Sequence, residues 1–139
     1  MKVLAANKFY FVKGGAERYF FELARILEEH GHEVVPFAMK DERNERSDHE
    51  DLFVSHEAFD DSDNACCRLR AAGRVVYSLE AKRKIEALVD RTRPDVAHLH
   101  NIAHQLSPSI IRGLAGRNVP VVQTLHDYKL VCPNYQMFV

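Results

Sequence analysis

Short apolar runs alternate with amphipathic segments along most of this 139-residue chain, and this alternation constrains its fold more than any other feature. Residues 2–6, 32–39, 95–100 and 119–125 have the length and character of strands. Between them, apolar residues recur three and four positions apart, which is the spacing of helices with one buried face. The order predicts an α/β domain, with a parallel sheet, right-handed crossovers and helices on both faces.

The borders of these segments carry local signals. Gly31 is placed to end the first helix in a left-handed conformation. Pro36 marks the second strand as an edge strand or a bulge. We further expect a short strand at residues 52–54, a helix over 64–77, a helix that Ser78 caps and Pro94 stops, and a last helix in which Ser107 is the cap and Pro108 the first helical residue.

Bulk composition excludes several classes of protein. The chain is 46% hydrophobic and 28% charged with a net charge of -1, so it predicts one soluble domain over residues 1–139 and no nucleic-acid partner. The three cysteines, Cys66, Cys67 and Cys132, are too few and too oddly spaced for a disulfide framework or a zinc site. The sequence contains neither a signal peptide nor an apolar run of membrane-spanning length, which favours a cytoplasmic location.

A pair of glycines, Gly14 and Gly15, separates the first strand from the first helix. Ligands of open parallel sheets bind at this kind of position, outside the carboxyl ends of the strands. The unpaired N–H groups of a first helical turn favour a phosphate or a hydroxyl, although a plain tight turn is an equal interpretation of the glycines alone. Glu17 falls in the same turn, where a carboxylate stabilises the helix dipole.

Four of the eight histidines cluster near predicted strand ends: His98, His100, His104 and His126. Strand alternation places His98 and His100 on one side of the sheet, and imidazoles there suit proton transfer or hydrogen bonding. The spacing of His98, His100 and His104 is also typical of metal-dependent hydrolases, but no carboxylate flanks the third histidine. A hydrolase is therefore the minor alternative, and we expect no metal. Another alternative is a non-catalytic, flavodoxin-like module that binds an anion.

Three segments, KGGAERY, RPDVAHLHN with LSPSI, and TLHDYKLVCPN, occur in an order that resembles the N-terminal half of a group 1, family-four-like glycosyltransferase. The resemblance covers almost the whole chain and implies a Rossmann-like domain, one of the two that face each other across the cleft of the GT-B fold. It implies transfer of a sugar from a nucleotide sugar to an acceptor hydroxyl, with retention and with no cofactor. The acceptor would be a carbohydrate or a lipid-linked sugar.

The resemblance also assigns residues to this reaction. His126 would contact the transferred sugar as the catalytic residue. The substrate-binding residues implied are Gly14, Gly15, Glu17, His100, Asn101 and Asp127. Backbone N–H groups at a helix start would stabilise the charge that develops on the departing diphosphate.

The resemblance further implies a second, C-terminal domain that supplies most nucleotide contacts, and none of its residues is among these 139. From the apolar ending at Met137–Val139 we expect a fragment that has no transferase turnover by itself, because catalysis needs both walls of the cleft. Relatives that build lipid-linked sugars suggest a peripheral encounter with the inner face of the membrane. Tyr10, Phe11 and residues 19–21 could contribute to it, although burial explains these aromatic side chains equally well.

Overall fold

A computed structural model describes residues 1–55, 77–103, 106–128 and 132 of the chain. Four strands form one sheet: β1 (Lys2–Ala6), β2 (Glu33–Phe37), β3 (Val96–Leu99) and β4 (Val121–Gln123). Within the described residues, three α-helices accompany them: α1 (Gly15–Glu29), α2 (Leu79–Thr92) and α3 (Ser109–Ala115). A 3₁₀ turn covers Glu50–Leu52.

The strands lie in the order β2-β1-β3-β4, and all three neighbouring pairs are parallel. Alternate residues of the central strand β3 show that both faces of the sheet are covered. Leu99 packs into the main apolar cluster with residues of α2 and α3. His100, which directly follows β3, points to the opposite face, where the ring of Phe20 from α1 contacts it. The predicted Rossmann-like α/β arrangement is therefore confirmed.

The main core lies between the sheet and the pair α2 and α3. Ile85 and Leu88 of α2 and Leu114 of α3 are fully buried there against Leu4 and Leu99 of the central strands. Burying each of these side chains stabilises the fold by roughly 1.5–3 kcal/mol before the entropy cost of ordering the chain. The core thus fixes β1 and β3 side by side, and with them the loops that follow these strands.

Serine hydroxyls join the beginnings of α2 and α3. The Ser78 side chain caps α2 by accepting a hydrogen bond from the Ala81 N–H at 3.1 Å, as the sequence predicts. The Ser78 N–H donates to Ser107 Oγ at 2.9 Å, and Ser109 Oγ donates to the Ser78 carbonyl at 2.7 Å. All three serines are buried, so this small network satisfies polar groups that would otherwise be costly there.

Several element borders agree with the sequence prediction. The helix α1 ends just before Gly31, whose φ of 79° is the expected left-handed stop. Pro36 lies in β2, which is an edge strand within the described part of the sheet. Helix α2 ends at Thr92, before Pro94.

Other borders differ from the prediction. Residues 52–54 are not a strand: the 3₁₀ turn ends at Leu52 and only an isolated bridge joins Val54 to Met39. Pro108 rather than Ser107 is the cap of α3, although Ser107 Oγ still accepts from the Ser109 N–H. β4 is shorter than residues 119–125 and its side chains are exposed, since it lies at the described edge of the sheet. The helix predicted over 64–77 falls almost wholly outside the described residues.

Candidate active site at the carboxyl edge of the sheet

The carboxyl ends of β1, β3 and β4 meet at one edge, and hydrogen bonds hold the segments that leave them together. The His100 N–H donates to the Ala6 carbonyl at 2.9 Å, and the Thr124 N–H donates to the Leu99 carbonyl at 2.9 Å. These bonds continue the parallel ladder one step beyond the strands. They bring His100 and His126, which the sequence separates by 26 positions, to the same place.

Asn7 organises the loop after β1. Its side chain is 1% exposed, accepts from the Asn101 N–H at 3.3 Å and donates to the Phe9 carbonyl at 2.8 Å. The Lys8 N–H donates to the Asn101 carbonyl at 3.0 Å, so two bonds hold Asn101 beside this loop. Asn7 is not among the site residues that the sequence predicts. Its position directly after a buried strand, where a polar residue must find partners, is the signal that could have found it.

Three imidazoles form what we call the histidine array: His98, His100 and His126. The ring centroids of His98 and His100 are 4.3 Å apart, and those of His100 and His126 are 5.4 Å apart with an interplanar angle of 25°, so the latter two rings lie edge to edge. Nδ1 of His100 lies 3.1 Å from Nε2 of His126, which is hydrogen-bonding distance. Nε2 of His98 instead pairs with the Thr124 hydroxyl at 2.8 Å.

Burial keeps the inner part of the array uncharged. The His100 side chain is 3% exposed, and this burial, together with the neighbouring imidazoles of His98 and His126, lowers its pKa to about 3. Burial, and then the charge on His126, also lowers the pKa of His98. His98 and His126 are both half-buried, so His100 is the enclosed member of the array. Because each imidazolium disfavours the next, the array is suited to carry at most one positive charge.

Helix α1 supplies the other wall of this site. Tyr19 packs edge-on against His126, with centroids 5.5 Å apart, and Phe20 packs edge-on against His100 at 5.2 Å. The beginning of α1 is one helical turn away from Tyr19, at Gly15. The paired glycines and the histidine array are therefore on the same side of the sheet. Tyr19 and Thr124 are two further contacts of the array that the sequence analysis did not assign to the site.

Neither backbone strain nor packing requires the two glycines. Gly14 has an extended backbone, with φ of −161°, and neither it nor Gly15 has a positive φ. A Cβ at Gly14 would lie 3.6 Å from Glu17 Oε2, an ordinary contact, and one at Gly15 would meet nothing within 4 Å. Both residues are exposed, so the open side of each could admit a ligand to the N–H groups of the first turn.

Among the predicted site residues at the beginning of α1, Glu17 is the most enclosed. It is 7% exposed, and among residues 1–55, 77–103, 106–128 and 132 no donor is hydrogen-bonded to its carboxylate. Asn101 is half-buried beside Asn7, and Asp127 is exposed directly after His126. The predicted site residues thus all lie in the segments that follow β1, β3 and β4, or in the first turn of α1.

The metal-site alternative depended on His104, which lies outside the described residues. Within the part of the chain that the structure describes, no group of three His, Cys, Asp or Glu side chains could hold a metal ion. The rings of His98 and His100 instead contact each other, and His98 pairs with Thr124 whereas His100 pairs with His126.

The aromatic side chains near α1 are largely packed within the fold. Phe11 and Phe20 are buried, and Tyr10 and Phe21 are half-buried and contact each other with ring centroids 5.3 Å apart. Tyr19, which is exposed, contacts the histidine array. Among the described helices none is long and apolar enough to cross a lipid bilayer.

A parallel sheet with helices on both faces and polar side chains gathered at its carboxyl edge defines an α/β domain of the Rossmann-like class. The model of the family described as Glycosyltransferase Family 4 matches residues 13–136. The chain therefore belongs to this family, and it corresponds to the N-terminal domain of the GT-B fold. A comparison with curated proteins found no match.

Proposed function

We propose that this domain is the acceptor-side wall of a glycosyltransferase cleft. The proposed reaction transfers a sugar from a nucleotide sugar to the hydroxyl of a carbohydrate or lipid-linked acceptor, with retention of configuration. The nucleotide sugar is a substrate, and the reaction uses no resident cofactor. One observation carries the proposal: an exposed pair of glycines that the fold does not require lies at the same edge of the sheet as the half-buried imidazole of His126.

The glycines suit a ligand that must approach the backbone closely. A glycine is usually retained for a positive φ or for lack of space, and neither applies to Gly14 or Gly15. Their N–H groups and that of Ala16 belong to the first turn of α1, where unpaired donors and the helix dipole favour an anion. In the proposed reaction these donors stabilise negative charge on the departing diphosphate.

The side chains around the glycines have complementary roles in this proposal. His126 contacts the transferred sugar and holds it in a reactive orientation. The carboxylate of Glu17, which has no described hydrogen-bond donor, accepts a hydrogen bond from a substrate hydroxyl. Asn101 and Asp127 line the same edge and bind further hydroxyls, and His100 contributes through its hydrogen bond to His126.

Replacing Gly15 by alanine separates ligand binding from stability. The new Cβ meets nothing within 4 Å, so we expect Gly15→Ala to fold as well as the wild type or up to about 1 kcal/mol more stably. It would nevertheless stand where the ligand approaches. We expect titration with uridine diphosphate, followed by backbone amide NMR, to shift the signals of Gly15–Glu17 and His126 in the wild type and at least tenfold less in the variant.

Gly116→Ala is the matched control. Gly116 is also exposed and has an ordinary backbone, with φ of −64°, but it lies at the end of α3. We expect this variant to bind uridine diphosphate like the wild type. Equal binding by Gly15→Ala, or shifts that avoid both the first turn of α1 and His126 in the wild type, would contradict the proposed site. Guanosine diphosphate, tested in parallel, would separate recognition of the diphosphate from recognition of the base.

A further inference from the structure

We propose that His100 is a positioning residue for His126, and that Nδ1 of His126 is the ring nitrogen that meets the transferred sugar. The inference deepens the proposed function and rests on it for the identity of the ligand. The geometry stands separately: Nδ1 of His100 lies 3.1 Å from Nε2 of His126, so one of the two ring nitrogens of His126 is already engaged inside the protein.

The orientation of the His126 ring is fixed from two directions. Tyr19 packs edge-on against it at a centroid distance of 5.5 Å, and the hydrogen bond to His100, whose ring lies edge to edge with it at a centroid distance of 5.4 Å, sets its rotation. His100 in turn is almost fully buried and touches Phe20 and His98. Among the described residues, Nδ1 of His126 has no hydrogen-bond partner, so it is the nitrogen left for a ligand.

The hydrogen bond also couples the tautomers of the two rings. His100 is uncharged at neutral pH, because burial and the neighbouring imidazoles hold its pKa near 3. A neutral imidazole has one donor nitrogen and one acceptor nitrogen. If His100 donates from Nδ1, Nε2 of His126 accepts, and a neutral His126 then carries its proton on Nδ1. If His126 donates from Nε2 instead, its Nδ1 is an acceptor. In either case Nδ1 has a single role towards a sugar hydroxyl, which can both donate and accept.

His98 has a different partner and provides a control. Its Nε2 pairs with Thr124 Oγ1 at 2.8 Å, so it takes no part in the hydrogen bond between the other two histidines. Thr124→Val removes the partner of His98 with little change of volume and leaves His100 and His126 in place. A general disturbance of the histidine array would appear in this variant, whereas a specific effect of His100 would not.

The experiment measures ring nitrogens directly in the 139-residue chain labelled with ¹⁵N. In the wild type, at a pH at which His126 is neutral, we expect its ring to show one protonated and one unprotonated nitrogen, and a coupling across the hydrogen bond between His100 Nδ1 and His126 Nε2. His100→Phe should bring the two nitrogen shifts of His126 together as its tautomers mix. His100→Asn, whose carboxamide can occupy the place of Nδ1, should restore the separation, and Thr124→Val should keep it.

Averaged His126 nitrogens in the wild type would overturn the inference, and this outcome needs no folded variant. Unchanged shifts in a folded His100→Phe, or an equal effect of Thr124→Val, would also overturn it. UDP-glucose and GDP-mannose, added to the wild type, distinguish this inference from the proposed function. If a donor binds at the glycines without moving the Nδ1 signal of His126, the inference alone is contradicted. If His126 has a single fixed tautomer but neither donor binds, the proposed function alone is contradicted.

Discussion

At the residue scale, burial decides which histidine can change its charge. His98 and His100 have the same side-chain chemistry and share one face of the sheet, yet His100 is the more enclosed and its pKa falls to about 3. In an unfolded chain the pKa of a histidine is about 6.5. Folding must therefore keep the proton off His100 over a range of pH in which the unfolded chain binds it.

This difference predicts that His100 makes the fold less stable in acid. Between pH 6.5 and about 3 the unfolded chain binds one more proton at this position than the folded chain, so stability falls as pH falls. We expect His100→Phe, which lacks this proton, to lose less stability between pH 7 and pH 5 than the wild type, by at most about 2 kcal/mol. Urea unfolding at several pH values measures the difference.

Gly116→Ala, which leaves every titratable side chain in place, provides the control for this measurement. This variant should keep the pH dependence of the wild type. Identical slopes for the wild type and His100→Phe would contradict the buried, uncharged state of His100.

At the element scale, close packing of α2 on α3 holds the main core. Gly113 of α3 is buried against α2, and a Cβ there would lie 3.0 Å from Ile85 Cγ2 and 3.2 Å from Glu86 Cγ. Here the absence of a side chain lets two helices approach, in contrast to Gly15, where the open space is outside the fold. The sequence shows a glycine at both positions, and it does not tell whether the glycine allows close helix packing or leaves open space for a ligand.

We therefore expect Gly113→Ala to destabilise the domain by about 1–3 kcal/mol, because α2 and α3 must move apart or Ile85 must leave its preferred rotamer. Thermal or urea unfolding measures the loss. Gly116→Ala, three residues along the chain, should change the free energy of unfolding by less than about 0.5 kcal/mol. Equal stability of the two variants would show that the contact between the helices is looser than described.

At the scale of the whole molecule, we propose that the domain presents one wall of a cleft. The first turn of α1 and His126 share an edge of the sheet, and this is the edge that we propose faces the substrates. The main core lies on the far face, between the sheet and the pair α2 and α3, so the edge can bind ligands without disturbing it.

We expect the 139-residue chain, assayed alone with a panel of nucleotide sugars and simple sugar acceptors, to give no transfer product. In the proposed reaction, groups from both walls hold the donor and the acceptor in the transition state, so one wall would supply only part of this stabilisation. Mass spectrometry of the acceptors measures the result, with a two-domain glycosyltransferase as the positive control. Product that depends on the folded chain and disappears in His126→Ala would contradict this expectation.

The sequence by itself determined the fold class and most element borders, because periodicity, caps and breakers such as Gly31, Ser78 and Pro94 act over a few residues. It also indicated the strand ends at which His100 and His126 lie, since residues that follow parallel strands meet at one edge. Only the tertiary structure decided that His100 is hydrogen-bonded to His126, that Asn7 holds Asn101, and that Gly15 faces open space whereas Gly113 faces a helix. These are contacts between residues far apart in the chain, and local pattern carries no information about their distance or burial.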